Sequence, residues 1–262
     1  MAQSNRAPIG VDPTRPNAAR VYNFMLDGKD NYEADRVVAE RMLAIAPDTK
    51  TLAWFSRRFL LNAVRAAAQE GIEQFIDIGA GIPISPNVHE VAQEFEPSAR
   101  VVAVDHDPVV FAHTNALLAG EPGVTSMLAD IRATDLIERL RTEGGIDFDQ
   151  RVAILIVGVL HFIMDDENPA ELVARFRDVM APGSLLAFTH ACTNTHPDFI
   201  RQSSGDLAST PAQVAFRTTE QVEPFLEGFE VIEPGVVPVQ EWLNGELPST
   251  RLVVLGGVGR KN

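Results

Sequence analysis

The most constraining feature of this sequence is an alternation of short aliphatic runs and helical stretches that begins after Gly71. The five runs, read as strands, are residues 74–78, 100–104, 124–128, 152–157 and 184–189. Such alternation requires a parallel sheet with helices on both faces, because parallel neighbours are joined by crossover connections. Two later runs, residues 229–233 and 251–258, have no helix between them. The last strand is therefore predicted to be antiparallel, in an α/β fold with seven strands.

Capping residues followed by proline mark the predicted starts of three helices. Proline at the first helical position loses no hydrogen bond, and the preceding polar side chain can cap the helix. The three pairs are Ser85-Pro86, Asp107-Pro108 and Asn168-Pro169. Ahead of the alternating region, helical spacing of apolar residues predicts two helices, the second ending at Gly71. We therefore divide the chain into a disordered tail (1–16), an N-terminal helical extension or lid (17–71) and the main domain (72–262).

Composition limits the class of protein and its partners. The chain has 262 residues, enough for one large α/β domain, and its net charge is -14. This acidity makes nucleic acid an unfavourable partner, since phosphate contacts need clustered Lys and Arg. One cysteine excludes an internal disulfide framework and indicates a reducing, cytoplasmic setting. Neither a signal peptide nor an apolar run of about 20 residues, as a membrane-spanning helix requires, is visible.

Glycines and polar residues follow each of the five predicted strands, which is where open α/β sheets bind ligands. The two glycines after the first strand allow a tight turn and a close approach of the backbone to a ligand. In strand order the residues are Gly79 and Gly81, Asp105 with His106 and Asp107, Asp130, Gly158 with His161, and His190. Because the carboxyl ends of parallel strands meet at one edge, these residues predict a cofactor site there.

The two aspartates after strands two and three suit an adenosine cofactor. Asp105 could accept both ribose hydroxyls, since a carboxylate offers several acceptor sites, and Asp130 could accept from the adenine amino group. Each residue also has a simpler interpretation. The glycine turn could hold no ligand, Asp105 could cap the next helix, although Asp107 is better placed, and Asp130 could be an ordinary loop residue. The combination is what predicts the cofactor.

The charge pattern favours S-adenosylmethionine over a dinucleotide. A pyrophosphate is bound by a Gly-x-Gly-x-x-Gly turn at a helix N-terminus. Here Pro83 follows Gly81 by two positions, the third glycine is missing, and Asp77 places negative charge beside the turn. A carboxylate suits the ammonium of S-adenosylmethionine, which carries no phosphate.

With these residues in view, the sequence resembles the class I S-adenosylmethionine-dependent methyltransferases, whose Rossmann-like sheet has seven strands and a reversed last strand. The matching segments are residues 75–81, 104–105, 130, 154–161 and 181–184. More narrowly it is similar to a bacterial S-adenosyl methyltransferase family long known as DUF574. That resemblance covers roughly residues 17–258 and is carried by residues 19–22, 27–31, 87–90, 159–162 and 228–230.

The resemblance implies a role for each matched position. Asp77, Gly79 and Gly81 would contact the amino-acid end of the cofactor, and Asp105 would hold the ribose. The adenine would be framed by Asp130 and Ile131, and the methyl-donor side lined by residues 158–161, which include Gly158. Ala80 and His106, which adjoin these positions, complete the predicted cofactor set within the main domain. Pro83 departs from the broad class and leaves the path of the loop open.

A polar segment near the N-terminus, residues 22–32, has two interpretations. It could be a solvated turn in which Asp30 or Asn31 caps the next helix. It could instead be a lid over the cofactor cleft, with Tyr22, Lys29 or Asn31 touching cofactor or substrate. The polar stretch of residues 191–217, read as irregular, is the other candidate for a substrate cover.

Histidines at the predicted edge are the candidate general bases. His161 is the preferred one and Tyr22 a second candidate catalytic residue, although His161 and His190 could equally be packed core residues. The histidines show no metal-ligand spacing, so no metal is predicted. We therefore expect a methyltransferase acting on a small molecule by direct displacement. A non-catalytic S-adenosylmethionine sensor or scaffold and an NAD-dependent oxidoreductase remain as alternatives.

Overall fold

The fold is built on one eight-stranded sheet, seen in a computed structural model that describes residues 12–118, 120–206 and 213–262. In chain order the strands are β1 (Gln74–Ile78), β2 (Arg100–Asp105), β3 (Val124–Leu128), β4 (Val152–Ile156), β5 (Leu185–Ala191), β6 (Phe229–Val231), β7 (Val237–Pro238) and β8 (Val254–Lys261). Their order across the sheet is β3-β2-β1-β4-β5-β8-β6, and β7 pairs with β8 beside this path.

Strand directions confirm the predicted mostly parallel sheet with a reversed last strand. The pairs β1–β2, β1–β4, β2–β3 and β4–β5 are parallel, and β8 runs antiparallel to β5, β6 and β7. Strand order reverses between β1 and β4, so a crevice for ligands lies at the carboxyl ends of these two strands. The additional strand, β7, has two residues, too short for any periodicity in sequence to reveal.

Nine helices flank the sheet in the described part of the chain. They are α1 (Ala18–Met25), α2 (Glu33–Ile45), α3 (Thr49–Gln69), α4 (Val88–Phe95), α5 (Pro108–Leu118), α6 (Leu136–Thr142), α7 (Pro169–Val179), α8 (Pro197–Asp206) and α9 (Thr219–Val222). Short 3₁₀ turns occupy Leu160–Phe162, Asp165–Glu167, Glu223–Leu226 and Val239–Trp242. None of the helices in these described ranges is both long and apolar enough to cross a membrane.

Three of the helical predictions need correction. The Ser85-Pro86 pair does not open a helix: α4 begins at Val88, where the Glu90 carboxylate accepts from the backbone N–H of Asn87. The stretch of residues 191–217 is not wholly irregular, because it contains α8, while residues 207–212 of that stretch lie outside the described residues. The short helix α1 was not anticipated.

Apolar side chains form two cores, one on each face of the sheet, because successive strand residues point to opposite faces. On β1, Ile76 belongs to one core and Phe75 to the other. The core around Phe75 also contains the apolar face of α3, including Phe59 and Val64. Helix α3 is thus packed directly on the sheet, as an integral layer of the fold, although it lies within the predicted N-terminal extension.

Helices α1 and α2 are joined by a buried ion pair. The Arg20 Nε donates to Asp35 Oδ2 at 2.8 Å, and both side chains are almost fully buried. Asp35 also accepts from the backbone N–H groups of Asn17 and Tyr32, so its charge is well satisfied. Arg20 also donates to the carbonyls of Asp12 and Arg15. Of the predicted tail (1–16), residues 1–11 lie outside the described residues.

Replacing Phe59 by Ala should lower the free energy of unfolding by about 3–5 kcal/mol, because it removes a buried ring from the core between α3 and the sheet. Phe95→Ala is the matched control, since Phe95 ends α4 with 40% of its surface exposed. Urea unfolding of both variants measures the difference. Equal losses would show that Phe59 is not a core residue.

Candidate active site

The glycine turn after β1 is bound to the end of β2. The backbone N–H groups of Gly79 and Ala80 both donate to the carbonyl of Val104, at 2.7 and 3.1 Å. Gly79 has φ +71°, and a Cβ there would lie 2.2 Å from Cγ2 of Val159, in the loop after β4. A side chain is therefore excluded by both backbone conformation and space. Around Gly81 the position of a Cβ is open, which leaves room beside the turn.

Asp105 is the side chain that connects the two neighbouring strand ends. Its Oδ2 accepts from the N–H of Gly81 and its Oδ1 from the N–H of Asp107, each at 3.0 Å. Asp107 caps α5, since its Oδ1 accepts from the N–H of Val109 at 2.8 Å. Asp107 is therefore the residue that caps α5. Asp105 is oriented by two backbone amides, and each of its oxygens can still accept a further hydrogen bond from a ligand. The neighbouring His106 is largely exposed.

Asp77 is a buried carboxyl group beneath the turn, with 7% of its surface exposed. Burial raises its pKa to about 6, with a smaller upward contribution from the Asp105 carboxylate, while the Arg57 guanidinium of α3 opposes the shift. Burial likewise raises the pKa of Asp105. Two carboxyl groups of raised pKa at one strand edge form a site that favours a cationic ligand, because such a ligand would stabilise their ionised forms.

Asp130 and Ile131 follow β3 as predicted but differ in their surroundings. Asp130 is partly exposed and paired with Arg132, whose Nη1 lies 2.9 Å from Oδ2. Arg132 in turn contacts Glu167, with Nε 2.5 Å from Oε1. Ile131 is 5% exposed and belongs to a sheet core. Any adenine amino group at Asp130 would share that carboxylate with Arg132.

The end of β4 supplies an open glycine and a partly buried histidine. Gly158 donates its N–H to Thr189 Oγ1 at 2.8 Å, and the position of a Cβ there is open. His161 is half-buried, and its Nδ1 is buried without a hydrogen-bond partner among the described residues. Burial lowers the pKa of His161 to about 3, with smaller contributions from His190 and Arg217. At neutral pH this imidazole is therefore uncharged.

His190 is fully buried and already committed to other groups. Its Nδ1 lies 2.8 Å from the carbonyl of Ala191, which can only accept, so Nε2 accepts from Arg217 Nη1 at 2.7 Å. Burial lowers the pKa of His190 to about 4, and the Arg217 cation acts in the same direction. Arg217 also pairs with Asp165, at 2.6 Å from Nη2 to Oδ1. His190 is thus a packed, neutral residue, one of the two interpretations open from sequence.

The N-terminal polar segment folds around Asn23. The Asn23 Oδ1 accepts from the N–H of Asp30 and from Nδ2 of Asn31, which also donates to the carbonyl of Gly28. Neither Asp30 nor Asn31 caps α2, because that helix begins at Glu33 with Tyr32 as its N-cap. Within this segment Asn31 is engaged in holding the loop.

Tyr22, on α1, has 38% of its surface exposed, and Lys29 is exposed as well. Burial raises the pKa of the Tyr22 hydroxyl to about 12; Asp77 adds to the rise and Arg57 opposes it. The hydroxyl donates to the carbonyl of Ala53 at 3.2 Å. At the start of α1, Asn17 Nδ2 donates to Asp107 Oδ2. The start of α1 is therefore attached to the loop after β2, and Tyr22 attaches the helix to α3.

Three residues near the site were missed from sequence: Asn17, Arg57 and Arg217. Asn17 was recognisable only as a polar residue before a helical stretch. Arg57 interrupts the apolar face of α3, and Arg217 follows Phe216 in a stretch read as irregular. A charged residue in such a position is buried only when partners distant in sequence are present, and sequence spacing does not show those partners.

Strand order, reversed last strand, glycine turn and paired strand-end carboxylates together define a class I methyltransferase fold with its cofactor crevice. The family comparison is more specific: the profile described as S-adenosyl methyltransferase matches residues 4–262, so the chain belongs to this family. A comparison with curated proteins gave no significant match.

Solved structures agree with this assignment. A DUF574 family protein from Streptomyces avermitilis has 31% identity and a TM-score of 0.89, with 96% of this chain and 99% of that one covered. A protein from Thermobifida fusca, described as a candidate methyltransferase, has 38% identity and a TM-score of 0.87, with 98% of each chain covered. N-methyltransferase NodS from Bradyrhizobium japonicum, solved with S-adenosyl-L-homocysteine, shares the fold at 15% identity and a TM-score of 0.51, with 92% and 98% covered.

The protein is therefore an S-adenosylmethionine-dependent methyltransferase, as the sequence predicted, and its cofactor is S-adenosylmethionine. The residues present fit that cofactor: Asp77 and Asp105 supply acceptors for cationic and hydroxyl groups, and open space adjoins Gly81 and Gly158. The dinucleotide and sensor alternatives do not agree with the family.

Replacing Asp77 by Asn should stabilise the protein without cofactor at pH 7.5. The folded-state pKa of about 6 lies above the ordinary 3.8, so ionising this carboxyl group destabilises the fold increasingly as pH rises from 3.8 to 6. Two pKa units correspond to about 2–3 kcal/mol above pH 6. Urea unfolding should show the gain at pH 7.5 and little of it at pH 4, while Asp178→Asn, at an exposed carboxylate, changes little at either pH. An equal gain in the free energy of unfolding at pH 7.5 and pH 4 would show that the ionisation of Asp77 is not the cause of the stabilisation.

Proposed function

We propose that this methyltransferase acts on a small molecule that enters a cleft covered by α1. The observation that carries the proposal is the hydrogen bond from Asn17, the N-cap of α1, to Asp107 in the loop after β2, together with the charge interaction between Tyr22 and Asp77. A cover bonded so close to the glycine turn restricts the approach of a macromolecular acceptor. The net charge of -14 further disfavours nucleic acid. The single described cysteine, Cys192, is a buried free thiol, and the cytoplasmic location stays a prediction.

The cofactor contacts are proposed residue by residue. Asp77 would receive the ammonium group, with Gly79, Ala80 and Gly81 shaping the turn around the amino-acid end. For the nucleoside, Asp105 would bind the ribose hydroxyls beside His106, and the adenine would lie between Asp130 and Ile131. Gly158 would line the methyl-donor side, because its N–H is bound to Thr189 and its α-carbon faces open space.

The lid contacts are proposed from α1 and the loop after it. Tyr22 is the lid residue with the clearest position, since its hydroxyl donates to the carbonyl of Ala53 on α3. Lys29 is exposed and has room to reach a ligand, whereas Asn31 would act by holding the loop through Asn23 and Gly28.

The bound cofactor supplies an electrophilic methyl group on a sulfonium, and the chain's residues align the acceptor and exclude water. His161 as general base stays a prediction: with a pKa near 3 it is a poor proton acceptor. Tyr22, with a pKa near 12, would remain protonated and act as a donor.

Incubation with methyl-labelled S-adenosylmethionine and separate pools of small metabolites, nucleic acid and protein tests the acceptor class. Label should accumulate in the small-molecule pool, because the covered cleft and acidic surface disfavour the other two. Asp178→Ala, at an exposed residue on α7, serves as an active control. Label found mainly in nucleic acid or protein would contradict the small-molecule proposal while leaving methyl transfer itself intact.

Replacing Asp105 by Ala should weaken S-adenosylmethionine binding by roughly 10- to 100-fold, the loss expected for hydrogen bonds to a charged acceptor. Calorimetry measures the affinity, with NAD as a second ligand that should not bind and Asp178→Ala as the control. Circular dichroism checks that the turn bonded to Asp105 remains folded. Unchanged affinity would rule out the proposed ribose contact.

A further inference from the structure

Arg57 is a cation at the cofactor turn that comes from α3, ahead of the first strand. Its Nη2 donates to the carbonyls of Ile84 and Pro86, at 2.6 and 2.7 Å, in the loop that follows the glycine turn. The same guanidinium is the strongest charged influence on both Asp77 and Tyr22, lowering the pKa of each. The Arg57 guanidinium of α3 is thus within electrostatic range of Tyr22 on α1 and Asp77 on β1.

The positive charge of Arg57 is not neutralised by a paired carboxylate. Among the described residues, Arg57 takes part in no ion pair. Both of its hydrogen bonds to described residues are donated by Nη2. Asp77 is near enough to feel the charge but does not form an ion pair with it. The half-buried Arg57 cation and the buried Asp77 carboxylate therefore influence each other without forming an ion pair.

The amino-acid end of S-adenosylmethionine carries an ammonium and a carboxylate on one carbon. A matching site needs one negative and one positive group a short distance apart and unpaired, because a direct ion pair would compete with the ligand. We propose that Arg57 binds the α-carboxylate of the cofactor while Asp77 receives the ammonium, which rests on the proposed role of Asp77. The guanidinium suits this task, since its free N–H groups can bind a carboxylate in bidentate fashion.

This assignment makes α3 part of the cofactor site. The loop that Arg57 holds contains Pro83, and the guanidinium fixes that loop through the carbonyls of Ile84 and Pro86. A purely structural role for Arg57, as a clamp on the loop, is the competing explanation. The two explanations differ in which ligands they affect. A contact with the α-carboxylate affects only a ligand that has a carboxylate, whereas a clamp on the loop affects every ligand that binds at the turn.

Calorimetry with three ligands separates the explanations. S-adenosylmethionine carries both charged groups, its decarboxylated analogue keeps the ammonium and sulfonium, and 5′-methylthioadenosine lacks the amino-acid part. Arg57→Ala should weaken binding of S-adenosylmethionine by roughly 10- to 100-fold and leave the two other affinities within about twofold, because only the first ligand offers a carboxylate. Arg57→Lys should recover part of the loss. Arg58→Ala, at an exposed neighbour on the same helix, should change none of them.

Equal losses for all three ligands would overturn the proposal in favour of the clamp, and an unchanged affinity for S-adenosylmethionine would also overturn it. Should Arg57→Ala fail to fold, Arg57→Lys compared across the same ligands still decides. Asp77→Asn should weaken the binding of both ligands that carry the ammonium group. This variant therefore tests the role of Asp77 independently of the role of Arg57. Absence of S-adenosylmethionine binding to the unmodified protein would overturn both the function and the role of Arg57, whereas binding that Arg57→Ala leaves unchanged would overturn the role of Arg57 alone.

Discussion

The site depends on the hydrogen-bonded connection between the turn after β1 and the end of β2. Val104 receives the N–H groups of Gly79 and Ala80 through its carbonyl, and the Asp105 carboxylate receives that of Gly81. These contacts use backbone groups that would otherwise lack partners at a strand end. Because they fix the turn, they also fix the distance between the parts of the site that are proposed to bind the amino-acid end and the ribose.

Charge is distributed unevenly around this connection. Asp77 and Asp105 are both buried with raised pKa values, so the protein without cofactor holds anionic groups at a cost in stability. Arg57 offsets part of that cost at a distance without pairing. Around the end of β4 the arrangement is the opposite, since burial, assisted by the Arg217 cation, keeps His161 and His190 neutral. One crevice therefore combines a region that attracts cations with a region of uncharged imidazole.

Sequence alone was sufficient for the parallel strands and the reversed last strand, because alternating aliphatic runs and helices allow few topologies, but not for the two-residue β7. It also placed Asp105 correctly at the end of β2. Sequence alone was insufficient for features that depend on partners distant in the chain. Ser85-Pro86 has the composition of a helix start, yet α4 begins only at Val88, after Asn87 and Glu90 form the cap. Arg57 has no local signature, since its partners lie 27 and 29 residues away in sequence. Roles for Lys29 and Asn31 in binding remain predictions.

Helix α3 has a consequence for how variation along the chain is tolerated. It carries Phe59 in the core and Arg57 at the cofactor turn, two positions apart on one rigid rod. An α-helix turns about 100° per residue. A single-residue insertion between the two positions would therefore rotate Arg57 away from the turn if Phe59 stayed in the core, or Phe59 out of the core if Arg57 stayed at the turn. The register of this helix therefore couples hydrophobic packing to cofactor chemistry, and length changes should be confined to the connections at either end of the helix.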